Sequence, residues 1–314
     1  MNDPLNSPMV TIYIPTHNRR DLLARALDSV FSQTYQHCEI IVVDDASTDG
    51  THEMLESLAS SGKIRMLRFS TPQGAQAARN HALSSARFDL VTGLDDDDEW
   101  LPDRLHQLVS SLKPGVAFVA ASDIIERGDG KQYVSRRPSC ITHDMLLRRN
   151  VVGNQVLARV SDLLACGGFD ESISASQDHD LWIRLSALAG DGIGLRTPLQ
   201  IVHAQMNRER VTTSTRRKHG IWRVYRKHRD SMTQSQRKSH MFNMLRTVER
   251  RISITTVRAL WSREDGIRIL VHWLRGLGLV SDSWLEFVAS LRDRTEIGTA
   301  LARRPARSQR DGIN

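Results

Sequence analysis

The sequence predicts an α/β protein built on a mostly parallel sheet with flanking helices, followed by a basic helical C-terminal region. Three observations predict it. Short β-rich runs alternate with helical patterns over the first 121 residues. Several runs are continuously apolar, as strands buried on both faces require. Polar clusters stand where the runs end, and sheets of this kind bind ligands outside the carboxyl ends of their strands.

The elements follow in order. VTIYI (10–14) is a strand, and Leu23, Leu27 and Phe31 then repeat at helical spacing beside Leu22, Ala26 and Val30. EIIVV (39–43) is a second strand, after which DASTDGT supplies caps for a helix through Met54, Leu55 and Leu58. IRMLRF (64–69) is a third, and PQGAQAARNHALSSA turns into an alanine-rich helix. FDLVTGL (88–94) is a fourth, PDRLHQLVSSL opens a helix with Pro at a first-turn position, and VAFVAA (116–121) is a fifth. Right-handed crossovers join such strands in parallel. Residues 122–215 are less regular, with a helix carrying Leu181, Leu185 and Leu188 and a strand at PLQIVHA (198–204).

Composition sets bounds. The chain has 314 residues, 40% hydrophobic and 25% charged, in the range of a soluble globular protein. Cys38, Cys140 and Cys166 have no CxxC spacing and cannot all pair, so buried thiols in a reducing cytosol are expected. The N-terminus shows no secretory pattern, and no apolar run reaches the ~20 residues that span a bilayer. The net charge of +7 is unevenly spread: residues 216–314 hold 22 Lys and Arg against 9 Asp and Glu, while residues 1–215 are net acidic. That asymmetry suggests two jobs, one at an anionic surface.

Three clusters could carry chemistry. Five carboxylates, Asp95 to Glu99, follow the fourth strand and precede Trp100 and Pro102, so their backbone is pinned. The run lacks the glycine and distal glutamate of an EF-hand. A hard divalent cation, Mg²⁺ or Mn²⁺, between Asp97 and a diphosphate fits such a site. VVDDAS offers Asp44 and Asp45 to a base or sugar edge, or as ordinary helix caps. SQDHDLW sets Asp178 and Asp180 at a helix start, where a carboxylate either caps the helix or serves as a general base. His203 ends a strand, where it could bind a metal or a phosphate, and His17 is open to several readings. No P-loop, GxSxG elbow or zinc-type spacing is present.

Taken together, VTIYIPTHNR (10–19), EIIVVDDASTDGT (39–51), GAQAARNHAL (74–83), LVTGLDDDDEWLPDRL (90–105), GGFDE (167–171) and QDHDLWIRL (177–185) resemble family 2 glycosyltransferases of the inverting GT-A type over about residues 9–205. The resemblance implies a Rossmann-like catalytic domain over 1–215, its nucleotide-sugar half at about 1–121 and its acceptor half at about 122–215, with a basic helical region over 216–314. It implies that Pro15, Thr16 and Asn18 line the nucleotide pocket, that Asp45 contacts the base with Asp44 near it, and that Arg79 lies near the donor. Asp95 would face the ribose or sugar and Asp97 the metal, with Asp96 counted in the nucleotide-sugar set. Asp98 and Glu99, like Asp96, would support them, solvated or capping the next helix. Asp178 matches the catalytic base, with Gln177 where the family usually has Glu, and His203 matches a late histidine near the metal.

The implied reaction moves a sugar from a nucleoside-diphosphate sugar to a glycan or glycolipid hydroxyl with inversion, as in lipopolysaccharide, O-antigen or capsule synthesis. A non-catalytic sugar-nucleotide-binding protein is the competing class, and a sugar-phosphate nucleotidyltransferase the competing enzyme. RRKHGIWRVYRK (216–227) and IRILVHWLRGLGLV (267–280) suit a peripheral position on the anionic inner face of the cell membrane ahead of plain packing. Nucleic acid is the least expected partner.

Overall fold

The computed structural model describes residues 7–204, 214–247 and 251–280. The first part alternates as expected: β1 (Val10–Thr16), α1 (Arg20–Phe31), β2 (Cys38–Asp44), α2 (Thr51–Ser60), β3 (Arg65–Arg68), α3 (Ala75–Ser85) and β4 (Leu90–Gly93). Then come β5 (Glu99–Trp100), α4 (Arg104–Ser111), β6 (Phe118–Arg127), β7 (Gln132–Ser135), β8 (Cys140–Ile141) and α5 (His143–Arg148). β9 (Leu157–Arg159), α6 (Val160–Ala165), α7 (Gln177–Ala189) and β10 (Gly192–Ala204) complete the sheet and its helices. α8 (Ser214–His228), α9 (Gln234–Arg246), α10 (Ile254–Leu260) and α11 (Gly266–Gly276) form the helical region.

One sheet runs in the order β3-β2-β1-β4-β9-β6-β10-β5, with β7 on β6 and β8 on β10. β1 pairs in parallel with β2 and β4, β2 with β3, and β6 with β10. The short strand β9 lies antiparallel between β4 and β6, so β6 is displaced by one place from β4. β1, β2, β3, β4, β6 and β10 therefore share one direction, and β5, β7, β8 and β9 oppose them. The expected fifth and last strands are longer than their apolar runs, because pairing with each other and with β7 and β8 satisfies backbone that carries no hydrophobic signal.

Alternate side chains feed two cores. Ile12, Ile14 and Val42 pack with Leu23, Leu27, Leu55 and Leu105 on one face. Tyr13, Ile41 and Val43 pack with Ala78, Leu83, Trp182 and Leu185 on the other. Leu188, expected on the buried stripe of α7, is 55% exposed; Leu181, Trp182 and Leu185 form that stripe instead. Cys140 is exposed, contrary to the expectation of buried thiols, and Cys38 and Cys166 are half-buried.

The helical region is joined to this body by packing. Val224 of α8 and Met232 belong to the same core as Ile173 and Trp182. Gly220 lets α8 approach closely, since a Cβ there would stand 2.0 Å from the carbonyl oxygen of Ala175. His240 of α9 stacks on His179 of α7 at 5.7 Å. Each ring reaches a carbonyl of α5, His179 that of Leu146 and His240 that of Leu147. Burial holds both neutral, lowering His179 to about 3 and His240 to about 4. Beyond this, Phe242, Ile252, Val257, Leu260 and Ile269 form a separate small core. The basic run RRPARSQRDGIN (303–314) lies outside the described residues.

Candidate active site

Register gathers the clusters. Thr16 at the end of β1 is opposite Asp44 at the end of β2, and Tyr13 is opposite Gly93 at the end of β4. The Leu94 amide donates to the Tyr13 carbonyl at 3.0 Å, which delivers the acidic run to the same edge as Thr16. Gly93 is required there: a Cβ would meet Gln155 Oε1 at 2.2 Å and the Tyr13 ring at 2.4 Å. Asn18, Ala46 and Ser176 are the described non-glycine residues with left-handed backbone, at φ of 52°, 59° and 62°. Asn18 and Ala46 follow β1 and β2 at this edge, Ser176 directly precedes α7, and such strain is characteristic of functional sites.

The residues expected to line a nucleotide pocket lie at or just past the ends of β1 and β2. Pro15 lies buried in β1. Thr16 Oγ1 donates to Asp96 at 2.8 Å. Asn18 binds the next loop twice: its amide nitrogen donates to Ser47 Oγ at 2.9 Å, and its side-chain oxygen accepts from the Thr48 amide at 2.7 Å. Asp44 is fully buried; one oxygen accepts from the Ser47 amide at 2.9 Å, and the other is 3.4 Å from Arg68 Nε with no hydrogen bond. Asp45 accepts the amides of Gln73 and Gly74 at 2.6 and 2.8 Å, tying β2 to the start of α3. His17 sits against the Asp45 carbonyl.

The five carboxylates do not share one fate. Asp95 accepts Arg79 Nη2 at 2.8 Å, Asn154 Nδ2 at 2.7 Å and Gln155 Nε2 at 3.1 Å. Burial works against its charge, but Arg79 and the two amides hold Asp95 below the usual carboxylate range. Asp96 accepts Arg19 Nη1 at 2.7 Å as well as Thr16, and burial still raises it to about 6. Asp97 is the open one, its side chain 39% exposed and 3.1 Å from Arg19. Asp98 is buried and takes Gln200 Nε2 at 3.0 Å and the His203 amide at 3.2 Å. Burial, then Asp95, Asp97 and Asp123, push Asp98 well upward. Glu99 begins β5 and is 3.2 Å from Arg25 Nε. Asp96, Asp98 and Glu99 are thus not solvated as expected. They are buried beneath the edge, where arginines and amides relieve the repulsion.

His203 also differs from expectation. Its Nε2 is 2.8 Å from Glu99 Oε1 and its Nδ1 3.6 Å from Glu126, so both ring nitrogens are turned to carboxylates of the sheet rather than to Asp97. Among the described residues, no three or more His, Cys, Asp and Glu gather to hold a metal. The donor set that remains is the exposed Asp97 carboxylate, which suits a hard cation that takes its other ligands from phosphate and water.

Asp178 stands in the first turn of α7, after the left-handed Ser176. Asn150 Nδ2 donates to its Oδ2 at 3.1 Å. Burial raises Asp178 to about 6; Arg79 pulls it down and Asp95 pushes it up. A carboxylate so poised can accept a proton near neutral pH. Asp180, its neighbour, is committed elsewhere: it is fully buried and bound by Arg184, Lys227 and His228.

Arg79 joins the two halves. It is buried, lies 5.5 Å over the Phe169 ring, and leaves Nε and Nη1 without a partner. The segment 150–155 is the part that sequence reasoning missed. Asn150 holds Asp178, Asn154 holds Asp95, and Gln155 holds both Asp95 and the Tyr13 hydroxyl, the last at 3.0 Å. The only local signal was a run of amides, NVVGNQ, in a stretch without periodicity.

This architecture is the GT-A glycosyltransferase fold. S. aureus TarS 1-349 in complex with UDP-GlcNAc aligns with a TM-score of 0.62 at 16% identity, over 93% of this chain and 90% of that one. The mannosyltransferase PcManGT from Pyrobaculum calidifontis, in complex with GDP-Man and Mn2+, aligns with a TM-score of 0.57 at 19% identity, over 96% and 85%. The family model of glycosyl transferase family 2 matches residues 11–162. The chain is 31% identical over 280 residues to the putative colanic acid biosynthesis glycosyl transferase WcaA of Escherichia coli (strain K12), covering 86% of this chain and 99% of the relative. It is 30% identical over 179 residues to the Escherichia coli UDP-Glc:alpha-D-GlcNAc-diphosphoundecaprenol beta-1,3-glucosyltransferase WfgD, covering 56% and 69%. The chain belongs to glycosyl transferase family 2.

Proposed function

We propose that the protein transfers a sugar from a nucleoside-diphosphate sugar to a hydroxyl of a glycan or glycolipid acceptor, with inversion, in the assembly of a bacterial cell-surface polysaccharide such as lipopolysaccharide, O-antigen or capsule. The observation that carries this reading is the pairing of Asp178, raised to about 6, with Asp95 through Arg79 and the amides of 150–155. Names of relatives support the pathway class, since WcaA and WfgD are described by colanic acid synthesis and by a lipid-linked acceptor.

The roles follow from chemistry. Asp178 takes the proton from the acceptor hydroxyl as its oxygen attacks the anomeric carbon. Attack opposite the leaving diphosphate inverts that carbon in one displacement. Asp95, kept ionised by Arg79, accepts hydroxyls of the ribose or sugar. The Arg79 guanidinium, ion-paired with Asp95, would put positive charge near the anionic donor. Asp97 would hold Mg²⁺ or Mn²⁺, which supplies positive charge to the departing diphosphate. The enzyme would work peripherally, at the inner face of the cell membrane; no helix among the described residues is long and apolar enough to cross one.

A donor screen tests the proposal. UDP-, dTDP- and GDP-sugars are offered with Mg²⁺ or Mn²⁺, and hydrolysis and thermal stabilisation are read. One donor should be turned over with either ion, and Asp97→Ala should abolish that metal dependence. Full metal-dependent turnover by Asp97→Ala would sink the metal assignment, and stabilisation by no nucleotide sugar would sink the donor class.

A further inference from the structure

A buried polar chain runs from the middle of β1 to the acidic run. Tyr13 stands opposite Ile41 of β2 and Gly93 of β4, so its backbone is held from both sides. Its ring belongs to the apolar core, edge-on to Phe169 at 6.5 Å, and Phe169 stands edge-on to Trp182 at 6.5 Å. The Tyr13 hydroxyl donates to Gln155 Oε1 at 3.0 Å, and Gln155 Nε2 donates to Asp95 Oδ1 at 3.1 Å. Tyr13 and Gln155 are each 3% exposed. Gly93 borders both, and a Cβ there would collide with the Tyr13 ring and with Gln155 Oε1.

The two ends of this chain fix its direction. Asp95 also receives Arg79 Nη2 and Asn154 Nδ2, so it acts as an acceptor, and Gln155 must turn its NH₂ group toward it. The carbonyl end of the amide then points to Tyr13, whose phenol is protonated at neutral pH and can donate to it. Without that hydroxyl the amide loses this constraint, and its flipped form would set Oε1 against the Asp95 carboxylate.

Packing alone does not call for such a pair. Two apolar side chains of the same shape fill a buried space at little cost, whereas a buried hydroxyl and amide are each costly unless paired. What the polar pair adds is a fixed hydrogen-bond donor on Asp95. Gln155 and Arg79 share Oδ1 while Asn154 takes Oδ2, so the carboxylate plane is set from both oxygens.

We propose that Tyr13 and Gln155 are positioning residues for the sugar donor: Tyr13 orients the Gln155 amide, and the amide holds the Asp95 carboxylate in the orientation that receives donor hydroxyls. The proposal rests on the role given to Asp95 above, and it adds two buried residues that act through that carboxylate.

The test uses the full chain. UDP-glucose, dTDP-glucose and GDP-glucose are offered with Mn²⁺, and KM and kcat are measured for the one that the parent protein hydrolyses. Tyr13→Phe should raise the donor KM about three- to tenfold, the weight of one neutral hydrogen bond, with kcat held within about twofold. Gln155→Met keeps the length of the side chain but cannot bond Asp95, and should raise the donor KM about tenfold or more. Adding Tyr13→Phe to Gln155→Met should raise it no further, because the hydroxyl acts through the amide. Circular-dichroism melting checks that each variant folds. An unchanged donor KM in folded Tyr13→Phe, or effects that multiply in the double variant, would overturn the proposal. A second measurement needs no donor. In ¹⁵N-labelled protein the side-chain amide signals of Gln155, identified by their loss in Gln155→Met, should move in Tyr13→Phe; signals that stay in place would overturn the proposal too. Asp95→Asn separates this inference from the assignment beneath it. If Asp95→Asn keeps the parent's donor KM, the role of Asp95 fails and the positioning role with it. A donor KM raised by Asp95→Asn but untouched by Tyr13→Phe sinks the positioning role alone.

Discussion

Asp178 concentrates the residue-scale argument. Burial raises it to about 6, above its value in an unfolded chain. Its contribution to stability is therefore fully present below the unfolded pKa and is lost as pH rises through about 6. Asp178→Asn removes a charge that the fold keeps at a cost, so it should raise the melting temperature at pH 8 by a few degrees. That gain should vanish near pH 4. The same substitution should lower transfer by about 10²- to 10⁴-fold, the usual share of a general base, while donor binding survives. Transfer by the unaltered protein should climb between pH 5 and 7. A flat profile there, or a variant that transfers at full rate, would refute the base assignment. Asn150→Ala, which frees the bonded oxygen of Asp178, should reduce kcat more than it alters the donor KM; a change in the donor KM alone would place Asn150 with the donor instead. The Asp178 assignment was legible in the sequence because a carboxylate at a helix start is a local pattern. Its raised pKa was not, since that comes from burial by other segments and from the charge of Asp95, against the pull of Arg79.

The element scale shows which signals are local. β1 to β4 and α1 to α3 lie where β-branched runs, helical periodicity and turn residues put them. β5, β8 and β9 span two or three residues each, too few to show a period, and exist only because a neighbour supplies partners. Leu188 misled for a related reason: helical spacing identifies a stripe, but the direction of the neighbouring sheet decides its centre. α8 is seated closely at Gly220, where a Cβ would stand 2.0 Å from the Ala175 carbonyl oxygen. Gly220→Val would force α8 away from Ala175 and strain the segment that enters α7. A loss of at least about 1–3 kcal/mol is expected in chemical denaturation, the usual cost of overpacking. Transfer should fall with it. Stability within a few tenths of a kcal/mol of the parent would show that α8 is only loosely seated.

At the scale of the whole molecule, the helical region and the catalytic body are one folding problem at their junction. Val224 and Met232 cover the core that holds Ile173 and Trp182. Lys227 and His228 lie 3.0 and 2.8 Å from the buried carboxylate of Asp180. A chain ended after Ala204 would expose that core and leave Asp180 with Arg184 alone among these partners. It should be recovered mainly as aggregate, or melt well below the full chain. A soluble 1–204 fragment with the melting temperature of the full chain would contradict this. Packing and a role at a membrane are therefore not rivals, as the basic sequence alone made them seem. α8 and α9 pack on the body, while α11 keeps an apolar arc exposed.

The amino-acid sequence by itself determined the parallel core, the three polar clusters at its edge and the family to which the chain belongs. Each is written in residues close together along the chain, where spacing and type suffice. Only the tertiary structure decided which carboxylates of the acidic run face outward, that His203 turns to Glu99, and that NVVGNQ links Asp95 to Asp178. Those facts depend on burial and on contacts between distant segments. The energies of charge and hydrogen bonding are set by what surrounds a group, and a linear sequence does not state its surroundings.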